Sequence, residues 1–175
     1  DTVNDEFTND DEWTPNGAQR WTTEKYQQKL KNLAKVISEI GMPENSNAPT
    51  LIGGAEIENR GVLEDLIKEP KLLPLDLGII HFDSPDSRGI DVGFAYKSEC
   101  LQLTAFYVIT LKLPSKRATR DILIVEGFVP NKKDSVRFVV NHWPSRFGGQ
   151  KKSEGNRIYA ATQLNKALDS IAKIR

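Results

Sequence analysis

The sequence predicts an α/β fold. Helix-type apolar stripes open and close the chain, six β-type runs lie between them, and turn-rich segments separate the runs without repeats or low-complexity tracts. One run, Ile122-Leu123-Ile124-Val125, is apolar on both faces, as a strand buried between two layers should be.

Residues 1–21 are acidic and rich in turn formers, with Trp13 and Trp21 as packing anchors. Thr22 or Thr23 can cap a helix in which Tyr26, Leu30, Leu33, Ile37 and Ile40 form one stripe, stopped by Gly41. A Pro/Asn-rich loop leads to an apolar strand that begins near Pro49 and ends in Glu56 and Glu58, which share a face because positions two apart in a strand point the same way. Asn59 is placed as the N-cap of a helix carrying Val62, Leu63, Leu66 and Ile67. Further strands are expected at 78–82, 90–96, 101–113, 121–129 and 136–142, with Pro114-Ser115-Lys116-Arg117 as a hairpin connection. A last helix starts at a capping Ser153, carries Ile158, Ala161, Leu164, Leu168 and Ile171, and ends near Arg175. Its N-terminus, beside Gly148-Gly149, suits either simple capping or a phosphate.

Three segments concentrate polar groups at strand ends. In the run that closes at Val140, the residues Val136, Phe138, Val140 and His142 share one face, so His142 stands where that row leaves the core. Pro144 ends the ladder, and Arg146 and Gly148-Gly149 follow, a gathering that suits an oxyanion. A satisfied core histidine, a solvated arginine and a plain turn would produce the same string. In the second segment, Glu56 lies within an apolar strand, where an unpaired charge is costly, so it needs an arginine or a hard cation such as Mg²⁺. The third runs from Asp83 to Tyr96. Asp91, Gly93 and Ala95 face one way, and Ile90, Val92, Phe94 and Tyr96 the other. Asp91 therefore also requires a partner, and Arg88 is the nearest candidate.

In this order the three segments resemble the endonuclease/exonuclease/phosphatase superfamily, which includes deoxyribonuclease I. Ala55-Glu56-Ile57-Glu58-Asn59 is similar to the step that supplies that family's metal-binding glutamate, and Asn141-His142 to the step that supplies its catalytic histidine. The strings Asp86-Ser87-Arg88-Gly89-Ile90-Asp91-Val92 and His142-Trp143-Pro144-Ser145-Arg146-Phe147-Gly148-Gly149 resemble a bacterial branch of it. The resemblance implies a four-layer α/β/β/α sandwich with mixed, largely antiparallel sheets. It also implies a phosphoesterase dependent on Mg²⁺ or Mn²⁺, with Glu56 on the metal and His142 catalytic. Arg88 and Arg146 are candidates for the substrate phosphate, and Asp91 and Asn141 for support behind the site. A binding module that keeps the sandwich without the chemistry is the alternative.

The family pattern is incomplete in this chain. It opens at Asp1-Thr2-Val3-Asn4 without the family's first strand, and lacks its Gly-Asp-Phe-Asn strand and later Asp-His pair, so 1–175 is expected to be a partial domain. An apolar sheet face would then lack its cover and favour self-association. The expected partner is a phosphate-ester substrate, with nucleic acid among the classes. With 24 basic and 24 acidic residues the formal net charge is zero, which argues against charge-driven grip on long duplexes. A single cysteine, Cys100, excludes an internal disulfide, and no apolar run reaches membrane-spanning length. The resemblance favours an exported location over a cytoplasmic one.

Overall fold

Among the described residues, six strands pair into two three-stranded antiparallel sheets in the computed structural model. It describes residues 11–44 and 48–173. The first ten residues of the acidic opening, three residues of the Pro/Asn-rich loop and the end of the last helix lie outside the described residues. The first sheet holds β1 (Leu51–Ile57), β2 (Leu77–His81) and β3 (Asp91–Lys97) in the order β1-β3-β2. The second holds β4 (Gln102–Ile109), β5 (Ile122–Val129) and β6 (Asp134–Val140) in chain order.

The sheets face each other across one apolar cluster. Ile80, Val92 and Phe94 of the first meet Leu101, Leu123 and Val125, with Val136, Phe138 and Val140 of β6 packed against them. Val92 and Phe94 point inward, as the alternation in 90–96 requires. On the other side of the second sheet, Ile122 and Ile124 pack beneath α3 (Gln150–Lys173) through Ala160 and Ile171. On the outer face of the first sheet, α2 (Arg60–Ile67) sits over Gly93, and α1 (Thr23–Glu39) packs on α2, where the Tyr26 hydroxyl donates to Asp65 Oδ2 at 2.9 Å. The layers are helix, sheet, sheet, helix. None of the described helices is long and apolar enough to cross a membrane.

Local chemistry accounts for most element ends. Thr22 Oγ1 accepts from the Lys25 amide and Asn59 Oδ1 from the Val62 amide at 3.1 Å, so both helices start at the expected caps. Trp13 and Trp21 meet edge to face with centroids 6.0 Å apart. Across β5 and β6 the directly opposed pair Glu126 and Arg137 is closed by an Nε to Oε1 hydrogen bond of 2.7 Å, a charge pair that fixes the register.

Four expectations need correction. Of the α1 stripe, Leu30 and its neighbour Ala34 are buried, but Leu33 and Ile40 are exposed, because α1 packs along a narrow line against another helix rather than flat on a sheet. The run 101–113 leaves the ladder after Ile109, and Leu111 and Leu113 turn instead into the cluster beneath α3. The last helix begins at Gln150, since Gly148 and Gly149 at φ 79° and 101° let the chain turn straight into it. Ser153 lies inside the first turn and donates back to the Gly149 carbonyl at 2.8 Å, so it is no cap, and the buried face runs through Ala160, Leu164, Leu168 and Ile171 while Ile158 is exposed. Lastly, helices or the facing sheet cover the central strands. The apolar side chains left exposed in this region stand at the edges, with Phe106 and Val108 on β4 and Phe82 after β2, the two rings 5.2 Å apart.

The contact of α2 with the first sheet gives a test. A Cβ at Gly93 would lie 2.6 Å from Leu63 Cδ1. Gly93→Val should displace α2 and lower stability by about 2 kcal/mol, the usual cost of overpacking. Urea unfolding should show a lower midpoint at an unchanged m-value.

Candidate active site

Backbone pairing decides where Glu56 points. The register steps from Ala55 opposite Val92 to Ile57 opposite Asp91, leaving Glu56 as the extra residue of a bulge at φ 61°. A left-handed glutamate costs on the order of 1 kcal/mol. The bulge removes the side chain from the strand's alternation. Glu56 is therefore 67% exposed rather than a charge buried in a strand, and regular alternation no longer relates it to Glu58.

His142 arrives from the other sheet. Two residues beyond β6, its imidazole is 26% exposed, with Nε2 3.8 Å from Glu56 Oε1. Nδ1 is buried without a hydrogen-bond partner among the described residues. Burial lowers the imidazole pKa, and the Arg120 guanidinium lowers it further against the pull of Glu56, so the ring is neutral near pH 7. A neutral ring keeps one donor and one acceptor nitrogen. Asn141 lies half-buried directly before it.

The loop between β2 and β3 brings a second group of charges. At its base Asp91 Oδ1 accepts from the Ser84 amide at 2.8 Å and the Ser84 hydroxyl at 2.5 Å, while Oδ2 lies 3.2 Å from His81 Nε2. The partners of Asp91 are thus Ser84 and His81. Arg88 pairs instead with Asp86, whose Oδ1 accepts from the Arg88 amide at 3.0 Å and from Nε at 3.2 Å. Asp86 Oδ2 accepts from the buried Arg120 at 3.0 Å. Burial pushes the Asp86 carboxyl up, yet the hydrogen bonds from Arg120 and Arg88 outweigh it and hold the group below the usual carboxylate range.

The structure thus joins Glu56 and His142, with Arg88 and Asp86 close enough to act on the His142 charge. Arg146 is exposed at the start of the turn closed by the Gly149 amide on its carbonyl at 2.9 Å. A surface groove on α1, lined by Lys25, Gln28, Lys29, Asn32, Leu33 and Val36, contains none of these residues. His81, Asp86 and Arg120 were not singled out from sequence. The adjacent charges Arg120-Asp121, at the mouth of a strand apolar on both faces, were the available signal. Such charges are buried, and buried charges need partners.

Two places offer ligands for a cation. Glu56 supplies an exposed carboxylate, which fits Mg²⁺, an ion commonly held by one or two carboxylates, waters and substrate phosphate. His81, Asp83 and Asp91 bring donor atoms within 4.8 Å of one another, an imidazole and two carboxylates better suited to softer divalent metals.

Two face-to-face antiparallel sheets between helix layers, with a carboxylate and an imidazole meeting where β1 and β6 end, define a deoxyribonuclease I-like sandwich. A profile of the Endonuclease/Exonuclease/phosphatase family matches residues 1–174, and the chain belongs to that family. The fold is shared with the catalytic domain of human Nocturnin, solved with a bound sulfate anion, at a TM-score of 0.58 and 15% identity over 83% of this chain and 52% of that one. The chain spans about half the length of that domain. No curated protein matches it in sequence.

The Asp86 pair makes a prediction about pH. A depressed carboxyl contributes stability above its unfolded pKa of about 3.9, and that contribution is lost as pH falls through the lower folded value. Asp86→Asn should cost about 3 kcal/mol at pH 7, as removal of one partner of a buried pair does. The deficit should narrow below about pH 4, measured by urea unfolding at pH 7 and pH 3.

Proposed function

We propose that this chain carries the glutamate and histidine of a divalent-metal-dependent phosphoesterase, and that 1–175 is one part of the complete catalytic domain. The observation that carries the reading is the 3.8 Å approach of Glu56 to His142, brought from different sheets and made possible by a left-handed residue. Strain held at a polar, solvent-facing position is what functional sites tend to keep.

Glu56 would hold Mg²⁺ or Mn²⁺, which supplies Lewis-acid polarisation of a phosphoryl oxygen. His142, neutral near pH 7, donates from Nε2 to a nonbridging oxygen of the phosphate, and this contact strengthens as negative charge grows there. Arg88, at the rim, offers a guanidinium while Asp86 fixes its orientation. Arg146, free of the Asp86 pair, is the second candidate for the phosphate. Asp91 supports the arrangement by closing the base of the 84–90 loop, and Asn141 by its place before His142. The sulfate bound by the Nocturnin domain, a tetrahedral oxyanion like phosphate, supports this class of ligand.

An activity panel of nucleic acids, phosphoinositide headgroups and simple phosphodiesters, run with Mg²⁺ or Mn²⁺ on the complete protein, tests the reading. His142→Ala should lower kcat on the order of 10²- to 10³-fold with the fold retained. Glu56→Gln should shift the metal response to higher concentration, and a chelator should abolish turnover. Turnover that survives the chelator, or His142→Ala working at the unmutated rate, would sink the mechanism. Binding of a phosphate ester without turnover would favour the noncatalytic module.

A further inference from the structure

Arg120 lies two residues before β5, with a side chain only 7% exposed. A guanidinium so placed is costly unless its charge is met, and here the two Nη groups carry the hydrogen bonds while the buried Nε has no partner among the described residues. Nη1 donates to Asp86 Oδ2 at 3.0 Å, and Nη2 donates to two successive backbone carbonyls, those of His142 and Trp143, each at 3.0 Å. The target is unusual. β6 ended at Val140, so these carbonyls have left the ladder, and the next residue is Pro144, which has no amide hydrogen to offer. Acceptors beyond a strand end need another donor, and a planar fork can serve two neighbouring oxygens while keeping an arm for a carboxylate.

The second arm decides what this accomplishes. Asp86 belongs to the loop before β3 in the first sheet, and the same carboxylate holds Arg88. His142 follows β6 in the second sheet. One side chain therefore ties the segment behind the imidazole to the loop that leads into Asp91, and Asp91 lies opposite the Glu56 bulge. The apolar cluster between the sheets has no direction of its own, whereas three hydrogen bonds at 3.0 Å do.

We propose that Arg120 is a positioning residue, whose fork on the His142 and Trp143 carbonyls sets the distance and angle at which the His142 ring meets Glu56 and the substrate phosphate. Its kinetic consequence rests on the phosphoesterase reading. Its structural consequence does not. Lysine at this position keeps the charge and loses the fork, which separates geometry from electrostatics.

The test uses Arg120→Lys in the complete protein. His142→Ala and His81→Ala, each compared with the wild type, assign the ring signals of these two histidines. At pH 8.5 the His142 ring resonances of Arg120→Lys should shift and broaden, while those of His81, held beside Asp91, stay in place. kcat should fall on the order of tenfold to a hundredfold, as expected for a displaced catalytic group, with KM changed less than about twofold. A folded Arg120→Lys with wild-type His142 resonances and wild-type kcat overturns the proposal and leaves Arg120 a structural ion pair. If the wild type hydrolyses nothing, the phosphoesterase reading fails, and the ring spectra still decide the positioning role. Should the variant not fold, the wild type decides. Its Arg120 Nη protons must exchange with water far more slowly than those of exposed Arg146, and equal exchange overturns the clamp.

Discussion

Burial of β5 on both faces is the constraint from which the other elements take their places. Ile124 and Val125 have no accessible surface, one turned toward α3 and the other toward the first sheet. Each such side chain contributes roughly 1.5–3 kcal/mol, and the alternation assigns successive residues to different layers. A slip of one residue would exchange the two faces, so β4 and β6 must align to β5 as they do. The cross-strand pair of Glu126 and Arg137 adds a polar check on that register.

Position of the site follows from this stacking. β6 runs out of the core at Val140 and β1 at Ile57, and the two belong to opposed sheets, so their ends face each other across the rim of the sandwich. Apolar packing brings them near each other, but packing alone does not aim a carboxylate or an imidazole. The aiming comes from local backbone, a bulge at Glu56 and a departure from the ladder at His142, supported by a net of buried charges running from Asp86 to the strand exit. Depression of the His142 pKa is a by-product of that placement, because burial and a nearby guanidinium both disfavour the charged ring.

Much of the fold was legible because it rests on periodicity. The alternation in 90–96 and 136–140, the doubly apolar run 122–125 and the caps Thr22 and Asn59 are local signals that the tertiary structure reinforces. Legibility failed where one residue's conformation or a long-range partner decides. Nothing in the letters Ala55-Glu56-Ile57 announces a left-handed glutamate, since only pairing with β3 creates the extra residue. Asp91 was rightly read as needing a partner, yet Arg88 lay closer in sequence than His81, and the strand geometry chose the latter. Arg120 is 22 residues from the carbonyl it holds, and periodicity carries no information over that separation.

The bulge at Glu56 also sets stability and chemistry at odds. Glycine adopts φ near 61° without a Cβ penalty, so the fold by itself would be better served by glycine at this position, by about 1 kcal/mol. A thermostability selection blind to turnover would be drawn to that substitution and would strip the carboxylate from the rim of the sandwich. Glu56 is thus a position where improving the scaffold and keeping its chemistry demand different residues, and any stabilised derivative of this protein has to find its gains elsewhere.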